Sequence, residues 1–341
     1  MAALGRLRAL RRHLVAAAAA AAEGEEVVCI VWRIGDDPRS IQEAVQTAMS
    51  GQNIQSIGPV RMHIWSDEAL AVLSAERRGG ESDLSPEDAA KGRAELETML
   101  GKAVAWLGAP LRDWSAVKAI VGGSGWPASL RYIHNTFTGV DMIAAAEPPP
   151  EIIVTNMRGR FDYPIAEFVL TWMLMACKQM VTLLQQQADA SWPELPAKWE
   201  EGGTTRLRGR VVAIIGLGSI GSTMAELFKA MGMRVLGLRR TASPGEAPPP
   251  NVDTLYTTEQ LSEALAEADF VVLATPATPQ TEGMIGRDEL AVMQPHASLM
   301  NIARGSVAVW DDVLEALREG QIGAYYTVSR AITASIWVAF F

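Results

Sequence analysis

Val211–Gly221 reads VVAIIGLGSIG, and this stretch decides the fold. An apolar β-type run enters a glycine turn, and a helix-compatible segment, Ser219–Ala230, leaves it. Gly216, Gly218 and Gly221 fit G-x-G-x-x-G in the strand–turn–helix context that the pattern requires. The first glycine permits the sharp turn, the second lets the backbone approach a pyrophosphate, and the third lets helix and strand pack closely. Backbone N–H groups at the helix start, around Ser219 and Ile220, then face phosphate. The reading is a dinucleotide site. The competing one is a tight strand–helix turn with no ligand.

Working outward, the alternation is regular from Leu207. Val211–Ile215, Arg234–Leu238, Phe270–Ala274 and Ser298–Ile302 read as strands. Ser219–Ala230, Thr258–Ala268, Arg287–Met293 and Asp311–Glu319 read as helices. That spacing predicts an α/β, doubly wound parallel sheet. Upstream, Pro164 opens an apolar helix running to about Gln187, Ile152–Thr155 is a short strand, and Trp192–Gly203 is a loop. Further back, Val27–Ile34 is a buried strand and Ser40–Ser50 a helix. Ser85-Pro86-Glu87-Asp88 is a helix start with a serine cap and a first-turn proline. Glu76–Asp83 is a loop, and Val104–Leu107, Val117–Val121 and Leu130–Ile133 are short strands or helix–strand pairs. This first α/β unit is expected to occupy residues 27–150 and the nucleotide-binding unit residues 151–325, with 326–341 a separate tail.

A length of 341 residues suits two domains, and a 49% hydrophobic composition supports substantial cores. A net charge of −9 argues against nucleic acid. Cys29 and Cys177 lie far apart in apolar surroundings and read as buried reduced thiols, with no disulfide framework and no metal spacing. Residues 1–26 open with Arg6, Arg8, Arg11 and Arg12, no acid before Glu23, and an alanine run. That is a transit-peptide composition (mitochondrial or plastid), the alternative being an unstructured tail on a cytoplasmic protein. No apolar run reaches the roughly 18 residues that cross a bilayer, so no membrane span is expected.

The end of the second strand identifies the nucleotide. NAD sites place an acid there to accept from the ribose 2′-OH. Here the strand ends Leu238-Arg239-Arg240-Thr241, with no acid between Met233 and Ser243. Two arginines and a hydroxyl suit a 2′-phosphate, so NADP(H) is favoured and NAD(H) stays open.

Three further stretches carry a resemblance: Ala274–Gly286 (ATPATPQTEGMIG), Asn301-Ile302-Ala303-Arg304-Gly305, and Phe137-Thr138-Gly139-Val140-Asp141. With GLGSIG they make the chain resemble the D-isomer-specific 2-hydroxyacid dehydrogenases, with glyoxylate/hydroxypyruvate reductase-like members nearest. The resemblance covers about Ile152–Ile322 well and is weak before Leu130. It implies a Rossmann NAD(P)-binding domain beside a second, flavodoxin-like α/β substrate domain, incomplete in this chain, and a homodimer through the nucleotide domain. It implies hydride transfer between NAD(P)H and a small 2-oxo or 2-hydroxy acid. Arg304 matches the family's catalytic arginine, a cation that neutralises developing oxyanion charge. Thr138, Gly139 and Val140 match its substrate loop. Thr275, Pro276, Thr281, Ile302 and Ala303 match its cofactor loops.

The chain then departs from that pattern. The proton-donor histidine and its glutamate follow the arginine in the family. The glutamate position, 29 residues after Arg304, is Thr333 here, and the histidine position lies beyond Phe341. A nicotinamide-facing aspartate is expected near Val328 and is not found. The acid-free tail VSRAITASIWVAFF departs from the family and suggests a truncated product with exposed apolar surface. His134 is the one substitute donor with supporting context; His296 reads as an exposed turn residue, and His13 and His63 have none. The expectation is impaired turnover. The alternative is a non-catalytic, cofactor-sensing protein. A methyltransferase reading is disfavoured, because it wants an acid where Arg239 and Arg240 stand and gives NIARG no role.

Overall fold

The computed structural model describes residues 27–31, 60–64, 68–69, 71–72, 84–108, 126–135, 138–191 and 206–327. Expectations for Ser40–Ser50, Glu76–Asp83, Val117–Val121, Trp192–Gly203, the basic N-terminus and the tail after Thr327 lie outside them. The chain divides into two compact units, Met1–Met157 and Arg158–Phe341.

In the first unit, β1 (Val27–Val31), β2 (Val60–Ile64), β3 (Ala103–Gly108), β4 (Tyr132–Asn135) and β5 (Ile153–Asn156) form a parallel sheet in the order β2-β1-β3-β4-β5. This is the 2-1-3-4-5 order of flavodoxin-like folds. Helix α1 (Pro86–Lys102) starts where the sequence places it: the Ser85 hydroxyl accepts from the Asp88 amide at 3.2 Å, and proline occupies the first turn. Its Leu96 and Leu100 pack with Trp106 and Ile133 in the core. A short α2 (Asp141–Ala145) follows β4.

Two boundaries differ from those the sequence suggests. The strand expected at 130–133 runs from Tyr132, because the Leu130 amide closes a turn onto the Pro127 carbonyl at 3.0 Å. The strand after the triple proline pairs with β4, Tyr132 opposite Ile153, so it completes the first sheet. The unit boundary therefore falls after Met157 and not at 150.

The second unit opens with α3 (Asp162–Cys177) and α4 (Met180–Ala188). The single helix expected from Pro164 is in fact two, bent by 66°. Gln179 between them takes a left-handed φ of +50° and its amide turns back to the Ala176 carbonyl, which ends α3. Then come β6 (Val211–Ile215), α5 (Ser219–Ala230), β7 (Arg234–Leu238), β8 (Thr254–Tyr256), α6 (Leu261–Glu267), β9 (Phe270–Leu273), α7 (Arg287–Ala291), β10 (Ser298–Asn301), α8 (Trp310–Arg318) and β11 (Ala324–Thr327).

All six strands are parallel in the order β11-β10-β9-β6-β7-β8, the 3-2-1-4-5-6 Rossmann order. Both faces are covered, as parallel sheets require. Ala213 and Ile215 enter one apolar cluster, while Val212 and Ile214 enter the other with Met224 and Phe228 of α5. Strands β8 and β11, unpredicted from sequence, are the two edges. Because β11 pairs in register with β10 through Thr327, the sheet extends two residues past the expected limit of 325.

Candidate functional site

In the 3-2-1-4-5-6 order the chain leaves β6 toward β7 on one side, while β9 lies on the other. Loops diverge there and open a crevice at the carboxyl ends of the strands. Backbone bonds fix the crevice: the Gly216 amide donates to Leu238 at 2.9 Å, Ala274 to Ile215 at 2.8 Å, and Ile302 to Leu273 at 3.2 Å. The ends of β6, β7, β9 and β10 thus bring together the glycine turn, Arg239–Thr241, Thr275–Thr281 and Ile302–Arg304.

The three glycines have separable reasons. Gly216 has φ +111°, and a Cβ there would lie 2.8 Å from the Ala274 carbonyl oxygen. At Gly221 a Cβ would lie 2.1 Å from the Gly216 carbonyl oxygen, so this position sets the helix–strand approach. At Gly218, φ is −82° and a Cβ would meet nothing within 4 Å. The fold therefore tolerates a side chain at Gly218, yet one would fill the open space in front of α5. That is a cradle shaped for a ligand's close approach, and the residues present fit a dinucleotide pyrophosphate. Ser219 begins α5, and its hydroxyl donates to the carboxylate of Asp162, itself buried at the start of α3.

Thr281 organises its own loop: its hydroxyl accepts from the Thr278 amide at 2.9 Å and donates to the Pro276 carbonyl at 2.7 Å. The Thr275 hydroxyl is buried with no hydrogen-bond partner among the described residues. After β7, Arg239 pairs with Glu246, while Arg240 and Thr241 are exposed. An acid does reach this position, contributed by the following loop.

Arg304 sits on a turn built by Asn301, which is 1% exposed. The Asn301 side chain accepts from the Ala303 amide at 3.0 Å and donates to the Arg304 carbonyl at 2.8 Å and to the Tyr325 hydroxyl at 3.3 Å. Burial pushes the Tyr325 phenol above its ordinary pKa, so the hydroxyl stays protonated. One guanidinium nitrogen of Arg304 donates to the Ala303 carbonyl at 2.9 Å.

In the first unit, Asn135 donates to the Gly139 carbonyl at 2.6 Å and Asn156 to the Thr138 carbonyl at 2.7 Å. The two asparagines hold the Thr138–Val140 loop by its carbonyls, leaving the Thr138 hydroxyl buried without a partner among the described residues. His134 places Nδ1 2.8 Å from the Thr155 hydroxyl. His296 lies at the opposite end of the Rossmann sheet, 2.9 Å from Asp269. Sequence reading passed over Asp162, Glu246, Asn301, Asn135 and Asn156. Asn301 stands inside the NIARG stretch, and the other four have no local signal.

Residues 170–327 match the model of the "D-isomer specific 2-hydroxyacid dehydrogenase, NAD binding domain". A glyoxylate reductase of Thermococcus gammatolerans is 34% identical over 198 residues, 57% of this chain and 58% of that protein. The human glyoxylate reductase/hydroxypyruvate reductase is 30% identical over 211 residues, 61% of each. The matched region is thus under two thirds of the length of these relatives. Among solved structures, a D-isomer specific 2-hydroxyacid dehydrogenase family protein from Aeromonas salmonicida shares the fold with a TM-score of 0.68 at 22% identity, covering 91% of this chain and 83% of that one. Another, from Xanthobacter autotrophicus in complex with NADPH and MES, has a TM-score of 0.62 at 22% identity and covers 92% and 82%. Residues 170–327, a little under half of this chain, thus match the NAD-binding domain of the D-isomer specific 2-hydroxyacid dehydrogenases.

Proposed function

We propose that this chain carries the site of an NAD(P)H-dependent reductase of small 2-oxo acids, of the glyoxylate and hydroxypyruvate class, with NADP(H) favoured over NAD(H). The observation that carries the reading is the position of Arg304, on the turn after β10, at the same end of the sheet as the glycine cradle after β6. When bound, the reduced nicotinamide supplies the hydride. Arg304 would supply the cation that offsets negative charge developing on the substrate's carbonyl oxygen. Thr138, Gly139 and Val140 form the loop proposed to hold the substrate carboxylate. Its shape is set by Asn135 and Asn156, which occupy its carbonyls.

Thr333 stands where a family member carries the glutamate that raises the donor histidine's pKa. His134 shares its Nδ1 with Thr155 in the sheet, and His296 lies at the far end of β10 from Arg304. We therefore propose slow turnover, since a general acid contributes about 10²–10⁴-fold. This keeps a cofactor-sensing, non-catalytic role as the second reading. For assembly we propose a homodimer through the nucleotide unit, where Tyr163, Phe168 and Leu184 of α3 and α4 are exposed.

The test is NADPH oxidation by the 341-residue chain with glyoxylate and with hydroxypyruvate, beside a dinucleotide titration of the same sample. Turnover that Arg304→Gln abolishes while binding persists supports the reductase. Binding without turnover supports the sensing role. Absence of binding overturns both.

A further inference from the structure

We propose that Glu246 weakens this site's preference for NADP(H) by occupying Arg239. The inference rests on the dinucleotide reading above. Arg239 is the first residue after β7, at the position that meets the adenine ribose in a Rossmann domain. Its guanidinium Nη2 is held by Glu246 Oε1. The other carboxylate oxygen of Glu246 accepts from the Ser243 amide at 3.0 Å, and the Glu246 amide donates back to the Ser243 carbonyl at 3.0 Å. Gly245, at φ +77°, gives the loop the turn that folds Glu246 back onto β7. A second backbone–backbone bond, from the Ala242 amide to the Arg239 carbonyl at 3.1 Å, closes the start of the same loop. The carboxylate is thus built in: both its oxygens and its own amide are used to hold it there.

This arrangement changes what the basic turn does. A free guanidinium receives a 2′-phosphate through paired hydrogen bonds. Here the guanidinium is engaged by a carboxylate, and its Nε is buried with no hydrogen-bond partner among the described residues. Glu246 holds Nη2, so a phosphate competes with it for Arg239 and binds beside its charge. A ribose 2′-OH meets no such competition, because a carboxylate at this place is its usual acceptor. The pair is about one-third exposed at each side chain, 32% and 34%. Ion pairs at such exposure are weak, so Glu246 shifts preference without forbidding NADPH.

The experiment is titration of the full 341-residue chain with NADPH and with NADH, for wild type, Glu246→Gln, Arg239→Gln and the double variant. Glutamine keeps an oxygen for the Ser243 amide and removes the charge. Glu246→Gln is expected to raise the ratio Kd(NADH)/Kd(NADPH) by about fivefold, the scale of a partly exposed ion pair. In the Arg239→Gln background the same change is expected to leave the ratio unmoved. Glu246→Ala, which also drops the loop bond, is expected to move the ratio in the same direction. A ratio that stays constant, falls, or rises equally without Arg239 overturns the proposal. Wild type that binds neither dinucleotide overturns the dinucleotide reading itself and this inference with it; a wild type that binds both, with an unmoved ratio, overturns the role of Glu246 alone.

Discussion

The Ser219 hydroxyl, at the first position of the helix that follows the glycine turn, donates to Oδ2 of Asp162, 57 residues earlier in the chain. Asp162 is 9% exposed, and its Oδ1 is buried with no hydrogen-bond partner among the described residues. The bond ties the start of α3 to the start of α5, beside apolar packing and a bond from the Tyr163 hydroxyl to the Glu226 carboxylate at 3.3 Å. Asp162→Ala is expected to cost about 1–2 kcal/mol of stability, the range for a lost buried partner, and to weaken NADPH binding. Asp162→Asn keeps an acceptor for Ser219 and is expected to stay near wild type in both. Thermal melts with a cofactor titration check this; equal losses in the two variants would show that charge, not the acceptor, matters.

Gly218 and Gly221 separate binding from folding. Gly221→Ala drives a Cβ to 2.1 Å from backbone oxygen. It is expected to destabilise by about 1–3 kcal/mol, as overpacking does. Gly218→Ala meets open space at an ordinary φ. It is expected to unfold at the wild-type midpoint while dinucleotide affinity falls at least about tenfold, which is about 1.4 kcal/mol. Denaturant midpoints set beside binding isotherms distinguish the two.

Asn301 should matter to Arg304 without touching substrate. Asn301→Ala removes the acceptor for Ala303 and the donors for Arg304 and Tyr325 at a buried site. The expected cost is about 2–3 kcal/mol. Asn301→Asp keeps only the acceptor and is expected to fall between. Chemical denaturation of the three proteins gives the order.

Asp269 links stability to acid. Burial alone would raise its pKa, but the Val211 amide at 2.7 Å, His296 and Arg210 outweigh burial and hold the carboxyl below its ordinary value. A carboxyl depressed in the folded state stabilises fully above its unfolded pKa of about 3.9, and that contribution is lost as pH falls through the folded value. Asp269→Asn is therefore expected to destabilise the protein at pH 7 and to flatten its stability profile below about pH 4. Melting curves across that range test it; a variant with an unchanged acid limb would assign the acid sensitivity elsewhere.

Residue order alone determined the nucleotide-binding unit. Val211–Ile215 is an unbroken apolar strand because a parallel strand is buried on both faces. The glycine turn and the start of α5 are local backbone requirements, so Ser219–Ala230 is read to its exact ends. Ser85 at the head of α1 is the same kind of local statement. Edge strands β8 and β11 escaped notice because each is short and takes its pairing from a neighbour. The break at Gln179 carries no glycine or proline to announce it.

Tertiary structure decided what surrounds the charges. From sequence, Arg239 has no acid beside it; in the fold Glu246 returns to it through a glycine turn. Asp162 reaches Ser219, and Asn156 reaches Thr138, across separations that no spacing rule covers. Strand and helix periods are set by near neighbours, so sequence determines them. Hydrogen bonds between side chains far apart in sequence exist only once the sheet order and the paths of its loops are set.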